Sequence, residues 1–304
     1  MPQRKSPHMT ITVPAELRRR MSAVKEEVNW SAVASQAFED VLTASLPPRL
    51  YRYRDTSKYT EKIFTKQELF FAAPGAFNDP FDCDFHILCQ GDHNQDVIAS
   101  QAIKAVRRKF PGFTGQQALD AANEVSAKIL ADHHEEASSQ LGKSLARDYN
   151  DKAGILCLAA TNTDILMWSH YANHHRGICL EFRTNVKDSI FKKARPISYG
   201  DEYPHLDLLK IVQNEEFRDA APWMLTKSSL WSYEREWRIL DFENGPGIRT
   251  FPPECLSGVI LGCCIPDQER VKVLKWIRGF PTRVQVLQAK KSNTNFRLEI
   301  GEVS

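Results

Sequence analysis

Apolar and polar positions alternate from Met9 to Val13, with Met9, Ile11 and Val13 on one side and Thr10 and Thr12 on the other, which predicts a short half-exposed strand. Pro14 follows as a good first helical residue with Glu16 in the first turn, and Leu17, Met21, Val24 and Val28 then repeat at helical spacing. Asn29 interrupts as a cap, with Ser31 just behind it. Val33, Ala34, Ala37, Phe38, Val41 and Leu42 stripe a second helix that ends before Pro47-Pro48. A strand and two helices within about 35 residues cannot bury their apolar sides alone, so this segment needs a partner.

The texture changes at Leu50. Leu50 to Arg54 alternates, Gln67 to Ala72 is a second strand candidate, and Ala76 to Asp82 reads as a loop by its Asn-Asp-Pro chemistry. Residues from about 95 to 150 predict two or three polar amphipathic helices, broken around Phe110 to Gly115. Gly154 to Ala160 is a continuous apolar run expected as a buried strand, Asp164 to Ala172 a short helix, and Gly177 to Phe182 another strand. Further strands are expected at Arg195 to Tyr199, Glu236 to Leu240 and Gly258 to Leu261. The pattern divides the chain into a segment 1–47 and an α+β unit 48–304, the latter a mainly antiparallel sheet with an inserted helical layer.

Composition narrows the function classes. Forty Lys+Arg against 38 Asp+Glu leave a net charge of +2 over 304 residues, so any nucleic-acid contact must be local. The apolar runs fall short of the roughly 20 residues that span a bilayer, and no apolar stretch follows Met1-Pro-Gln-Arg-Lys-Ser-Pro, so the expectation is a cytoplasmic chain without a membrane partner. Seven cysteines, an odd number without a Cys-x-x-Cys pair, read as reduced thiols. His170 and His174, four apart, would share a helix face but lack acidic or thiolate partners nearby, so no metal is expected.

Three clusters pair charges with large aromatics, a combination that a ligand cleft uses. They are Tyr51-Arg52-Tyr53-Arg54 with Phe77-Asn78-Asp79-Pro80-Phe81-Asp82; Met167-Trp168-Ser169-His170-Tyr171 with His174, Gly177 and Glu181; and Lys227 with Trp231-Ser-Tyr-Glu-Arg-Glu-Trp-Arg238. If Tyr233 to Leu240 is a strand, Glu234, Glu236 and Arg238 share a face, and two carboxylates about 7 Å apart suit acid/base work or stabilisation of a developing cation. The competing structural reading is a solvated Glu-x-Glu-x-Arg ladder, whose ion pairs contribute little.

Three resemblances extend this reading. Residues Met9 to about Ser45 resemble the ribbon-helix-helix family of DNA-binding proteins and antitoxins. That resemblance implies a homodimer through residues 9–45, with Thr10 and Thr12 facing bases of an operator and Asn29 and Ser31 holding a phosphate. The ribbon's outward face carries no Arg or Lys, so base readout would be soft, and a pure dimerisation handle is the alternative. The motifs FNDPFD, MWSHYA and WSYEREWR resemble a widespread bacterial family classed as a domain of unknown function, over about Leu50 to Leu261.

The order of an early Arg, a middle aromatic/Ser segment and a late Glu-x-Glu is also similar to mono-ADP-ribosyltransferases, which implies NAD as the consumed dinucleotide. Carried over, Arg52 would clamp phosphate, Trp168 and Tyr171 would stack on the base, and Ser169 or His170 would bond the ribose. Tyr53, Asn78, Asp79, Lys227 and Arg238 would complete the binding set. Glu236 or Glu234 would be the catalytic carboxylate, with His170 and Tyr171 beside it, acting on a nucleic-acid or protein acceptor. Fusion to a DNA-binding dimeriser would fit a defence or toxin-type module. Two other readings stand beside it: a Mg²⁺-dependent nuclease or hydrolase using Asp79, Asp82, Asp84, His86 and a late glutamate, and a non-enzymatic ligand-sensing regulator.

Overall fold

A computed structural model describes residues 46–88, 102–104, 106–107, 110–131, 150–207 and 222–303, together with Arg19. Contacts divide the chain into two units, Met1–Ser45 and Leu46–Ser304, and all described residues but Arg19 belong to the second. The expected strand and helices of residues 9–45, with Thr10, Thr12, Asn29 and Ser31, lie outside the described residues.

In chain order the second unit contains β1 (Arg49–Arg54), α1 (Lys58–Lys66), β2 (Glu68–Phe71), β3 (His86–Leu88), α2 (Gly115–Ala131), β4 (Gly154–Ala159), α3 (Ile165–Tyr171) and β5 (Ile178–Arg183). Then come β6 (Arg195–Pro196), β7 (Ser198–Gly200), β8 (His205–Asp207), β9 (Thr226–Ser228), β10 (Glu236–Asp241), β11 (Gly247–Thr250), β12 (Leu256–Leu261), α4 (Asp267–Arg278), β13 (Gln285–Lys291) and β14 (Leu298–Glu302). Eight strands form the main sheet in the order β14-β13-β12-β5-β1-β4-β10-β6. Every pairing in it is antiparallel except β12 with β13, which need the crossover that α4 supplies. The expected α+β class with a mainly antiparallel sheet therefore holds for this unit.

Strand alternation gives the sheet two different faces. One face carries Leu50, Leu156, Leu158, Leu180, Phe182, Trp237 and Val259 into the larger core, where α1 contributes Ile63 and Phe64 and α4 contributes Val273 and Trp276. Phe64 stacks on Trp276 with centroids 5.6 Å apart, and the Trp276 indole N–H donates to Glu61, which locks α1 to α4. Burying each such side chain stabilises the fold by about 1.5–3 kcal/mol. The other face carries Tyr53, Ala159, Cys179 and Ile260 against Met167 and Trp168 of α3.

The insertion breaks where the sequence predicts. Phe110 and Phe113 stack across a turn, and Thr114 and Gln117 then exchange the two side-chain bonds of a capping box that starts α2. The strand expected at Arg195 to Tyr199 is instead two short ones, β6 on β10 and β7 on β9, because the chain changes sheet at Ile197. His174 is not on the helix of His170: α3 ends at Tyr171, and Asn173, His174 and His175 all take positive φ. Gly177 closes that turn beside the Arg54 carbonyl, which a Cβ would meet at 2.2 Å, so only glycine fits. Among the described residues no helix is long and apolar enough to cross a membrane.

Candidate functional site

Tyr51 and Tyr53 of the first cluster, the FNDPFD loop, and the second and third clusters meet on the second face of the sheet, around a chain of buried charges. Its centre is Arg238 on β10, fully buried. Arg238 Nε donates to Glu236 Oε1 (2.7 Å) and Nη2 to Glu236 Oε2 (3.0 Å). Nη2 also donates to Asp82 Oδ2 (2.6 Å), while Nη1 donates to Asp82 Oδ1 and to the Met224 carbonyl, both at 2.9 Å. The Phe77 ring lies 5.2 Å from the guanidinium. Lys227 on β9 continues the chain, bonding Glu236 Oε2 at 3.1 Å and Glu234 Oε2 at 2.6 Å, with the Trp231 ring 4.9 Å away. The Tyr171 hydroxyl closes it, donating to Glu234 Oε1 at 2.7 Å.

Local sequence explains how these groups arrive. Asp164 caps α3 by accepting the Leu166 and Met167 N–H groups, which aims Tyr171 from the helix's last position. Asp79 accepts the Phe81 N–H in a tight turn, and Asp82 emerges from that turn toward Arg238. Glu234 ends a 3-10 turn, Ser229–Glu234, that Ser228 caps. Glu234 is therefore not on the strand, which corrects the expectation from strand periodicity that it shares a strand face with Glu236 and Arg238. Arg235 takes a left-handed conformation (φ 45°, ψ 51°), which reverses the local hand before β10 begins at Glu236. The two carboxylates converge because both reach Lys227.

Charge sets their difference. Among the described residues three carboxylates, Asp82, Glu234 and Glu236, face two cations, Lys227 and Arg238, so with every group ionised the cluster would carry one negative charge in excess. Burial alone would raise Glu236, but Arg238 and then Lys227 overrule it and hold it at about 2. Burial, and after it the Glu236 charge, lifts Glu234 above the usual carboxylate range although Lys227 opposes this. Two carboxylates pushed apart in this way are the arrangement that acid/base and cation-stabilising sites use. The excess sits at the end fringed by Tyr233, Trp231 and the exposed His170, whose ring centroid is 6.4 Å from that of Tyr233. Lys227, Ser228 and Trp231 also line a cavity of about 480 Å³ with Asp79, Phe81 and Tyr203.

Several expected ligand contacts are absent from this geometry. Trp168 is fully buried, with its indole N–H on the Asn162 carbonyl and Tyr53 edge-on at 5.3 Å, so neither ring is open to a base. Arg238, Lys227 and Glu236 have their polar atoms committed to one another, which makes them the frame of the site. Ser169 is half-buried, and Asn78 is exposed and hydrogen-bonds Tyr171. Arg52 leaves the sheet on the opposite face. It alternates with Tyr51 and Tyr53 and lies across β5 from Leu180, a member of the larger core.

One short comparison bears on the site. Residues 167–239 match the model of a family described as a protein of unknown function, DUF2971. No curated protein and no solved structure matches the chain. The matched stretch contains Tyr171, Lys227, Glu234, Glu236 and Arg238, while Asp82 reaches Arg238 from outside it. Two further members have no signature in the sequence. The Tyr199 hydroxyl accepts the Glu236 N–H at 2.7 Å, and Cys157, paired with Arg238 across β4 and β10, bonds Glu236. Only strand register brings them in.

Proposed function

We propose that residues 46–304 form an enzyme that cleaves a glycosidic bond to a cationic leaving base, with NAD as the substrate to test and Glu234 as the reacting carboxylate. The observation that carries this reading is that three buried carboxylates share two cations, and Glu234 is the one that Arg238 does not reach. When the bond from ribose to nicotinamide breaks, its electron pair leaves with nicotinamide and positive charge develops on the ribose. That charge would complete the cluster, so the interaction is stronger in the transition state than in the ground state. Water or an acceptor hydroxyl then supplies the new electron pair and releases its proton.

Tyr171 and Lys227 would orient Glu234, and Trp231 and Tyr233 would flank the base. Arg52 does not fit as the phosphate clamp of this site. Arg235, exposed and next to Glu234 in the chain, is the cation that this reading assigns instead. The metal-hydrolase reading is disfavoured because Asp82 and Glu236 already spend their oxygens on Arg238 and Lys227.

The test is nicotinamide release from NAD⁺ by the full chain, with and without DNA, RNA and cell extract. Release should fall by about 10²-fold or more in Glu234→Gln, the scale on which one stabilising group acts. Absence of release from folded protein, or release indifferent to Glu234→Gln, overturns the reading.

For residues 9–45 we propose pairing of two chains into a DNA-binding ribbon, a reading supported by the alternation at Met9 to Val13 and the two striped helices. Sedimentation of the full chain should give a dimer, and Ile11→Asp, placing a charge in the shared core, should give a monomer. A wild-type monomer ends that proposal.

A further inference from the structure

Arg52 is a cost to the fold that the Glu234 site does not repay. Its Nη1 is buried without a hydrogen-bond partner among the described residues. Burial, and secondarily Arg54, pull its pKa down to about 10, so the group is still a cation at neutral pH. A buried guanidinium donor facing no acceptor is expensive and rare in a native fold.

The surroundings indicate what is missing. Arg52 lines a cavity of about 460 Å³ with Arg54, Tyr59, Lys62, Glu68 and Phe70, beneath α1 and β2. Three cations thus face one acid. Arg54 has its Nε on the Thr60 hydroxyl, and the neighbouring Asp55 carboxylate accepts from Ser57 and Thr60. At the rim Tyr59 and Phe70 are 63% and 57% exposed, two aromatic rings in water beside positive charge. The volume suits one small ligand, and the lining asks for an anion with a flat apolar part.

We propose that this cavity is a second ligand site, for a nucleoside phosphate. Phosphate oxygens accept from Arg52 and Arg54, and the base lies against Tyr59 and Phe70. The sheet separates the site from Glu234, so the inference is independent of the glycosidic reading.

AMP titrated calorimetrically into the full chain, beside inorganic phosphate and adenosine, tests it. AMP should bind saturably, and each fragment alone about tenfold or more weaker, since charge-assisted bonds and stacking each contribute on that scale. Arg52→Gln should weaken AMP about tenfold or more, while Glu234→Gln leaves it unchanged. Lys62→Ala and Phe70→Ala read the same site without touching a buried group, should Arg52→Gln not fold. No saturable binding, phosphate binding as tightly as AMP, indifference to the cavity variants, or loss in Glu234→Gln would each overturn the proposal. The last outcome would place the nucleotide in the other site and leave the glycosidic reading standing.

Discussion

Arg238 and Arg52 leave one sheet on opposite faces, Arg238 wholly buried and Arg52 with its Nη1 shut away from water. Arg238 has an acceptor for each of its five N–H groups, from Asp82, Glu236 and the Met224 carbonyl. Arg52 has an orphaned Nη1 and a cavity in front of it. The comparison separates two uses of the same side chain. A guanidinium whose donors are all spent inside the protein fixes architecture, here by tying the FNDPFD loop to β10, and offers nothing to a ligand. One left short is held by the rest of the fold at a cost, and a ligand can recover that cost.

The sharpest way to break this comparison is to remove each head group in turn. Arg238→Met strands Asp82 and Glu236 as buried carboxylates with only Lys227 between them, which should cost about 3–5 kcal/mol. Arg52→Met strands nothing, and its effect should stay within about 1 kcal/mol in either direction. Urea midpoints with unchanged slopes would measure both. An Arg238→Met chain within about 1 kcal/mol of wild type would mean that the network holds nothing together.

Much of this architecture is legible in the residue pattern. Alternation at Leu50 to Arg54 and the apolar run at Gly154 to Ala160 are sheet signals, and both fall on central strands. The short helix expected at Asp164 to Ala172 is present as Ile165–Tyr171, with Asp164 as its cap. Polar groups of the FNDPFD loop and of the second and third clusters also converge, around Arg238 and Lys227, whereas Arg52 and Arg54 do not join them. The failures have physical causes. Arg235 interrupts the Glu-x-Glu with a left-handed residue, and one residue of that kind leaves no trace in a periodicity. The parity that separates Arg52 from Tyr51 and Tyr53 is visible in the sequence, but which face meets Glu236 depends on the pairing of Tyr51 with Ala159 and of Ala159 with Glu236. Such long-range register is not written locally. For the same reason Cys157 and Tyr199 could not be assigned.

A smaller effect sharpens the contrast within the cluster itself. Glu236 is held at about 2 in the fold against an ordinary 4.5, so stability on the order of a few kcal/mol depends on its charge. Because the folded value is the lower one, this contribution is complete above about pH 4.5 and is lost as pH falls toward about 2. Glu234 has the opposite sign. Its folded value is raised, so its contribution is present at low pH and lost as pH rises through that raised value. Urea stability measured against pH should therefore fall through the acid window in wild type, and Glu236→Gln should flatten that limb. Glu234→Gln should leave the acid limb and flatten the decline at higher pH. If the two variants gave the same profile, the carboxylates would share one environment. The assignment of Glu234 as the group that receives the substrate's developing charge would then lose its basis.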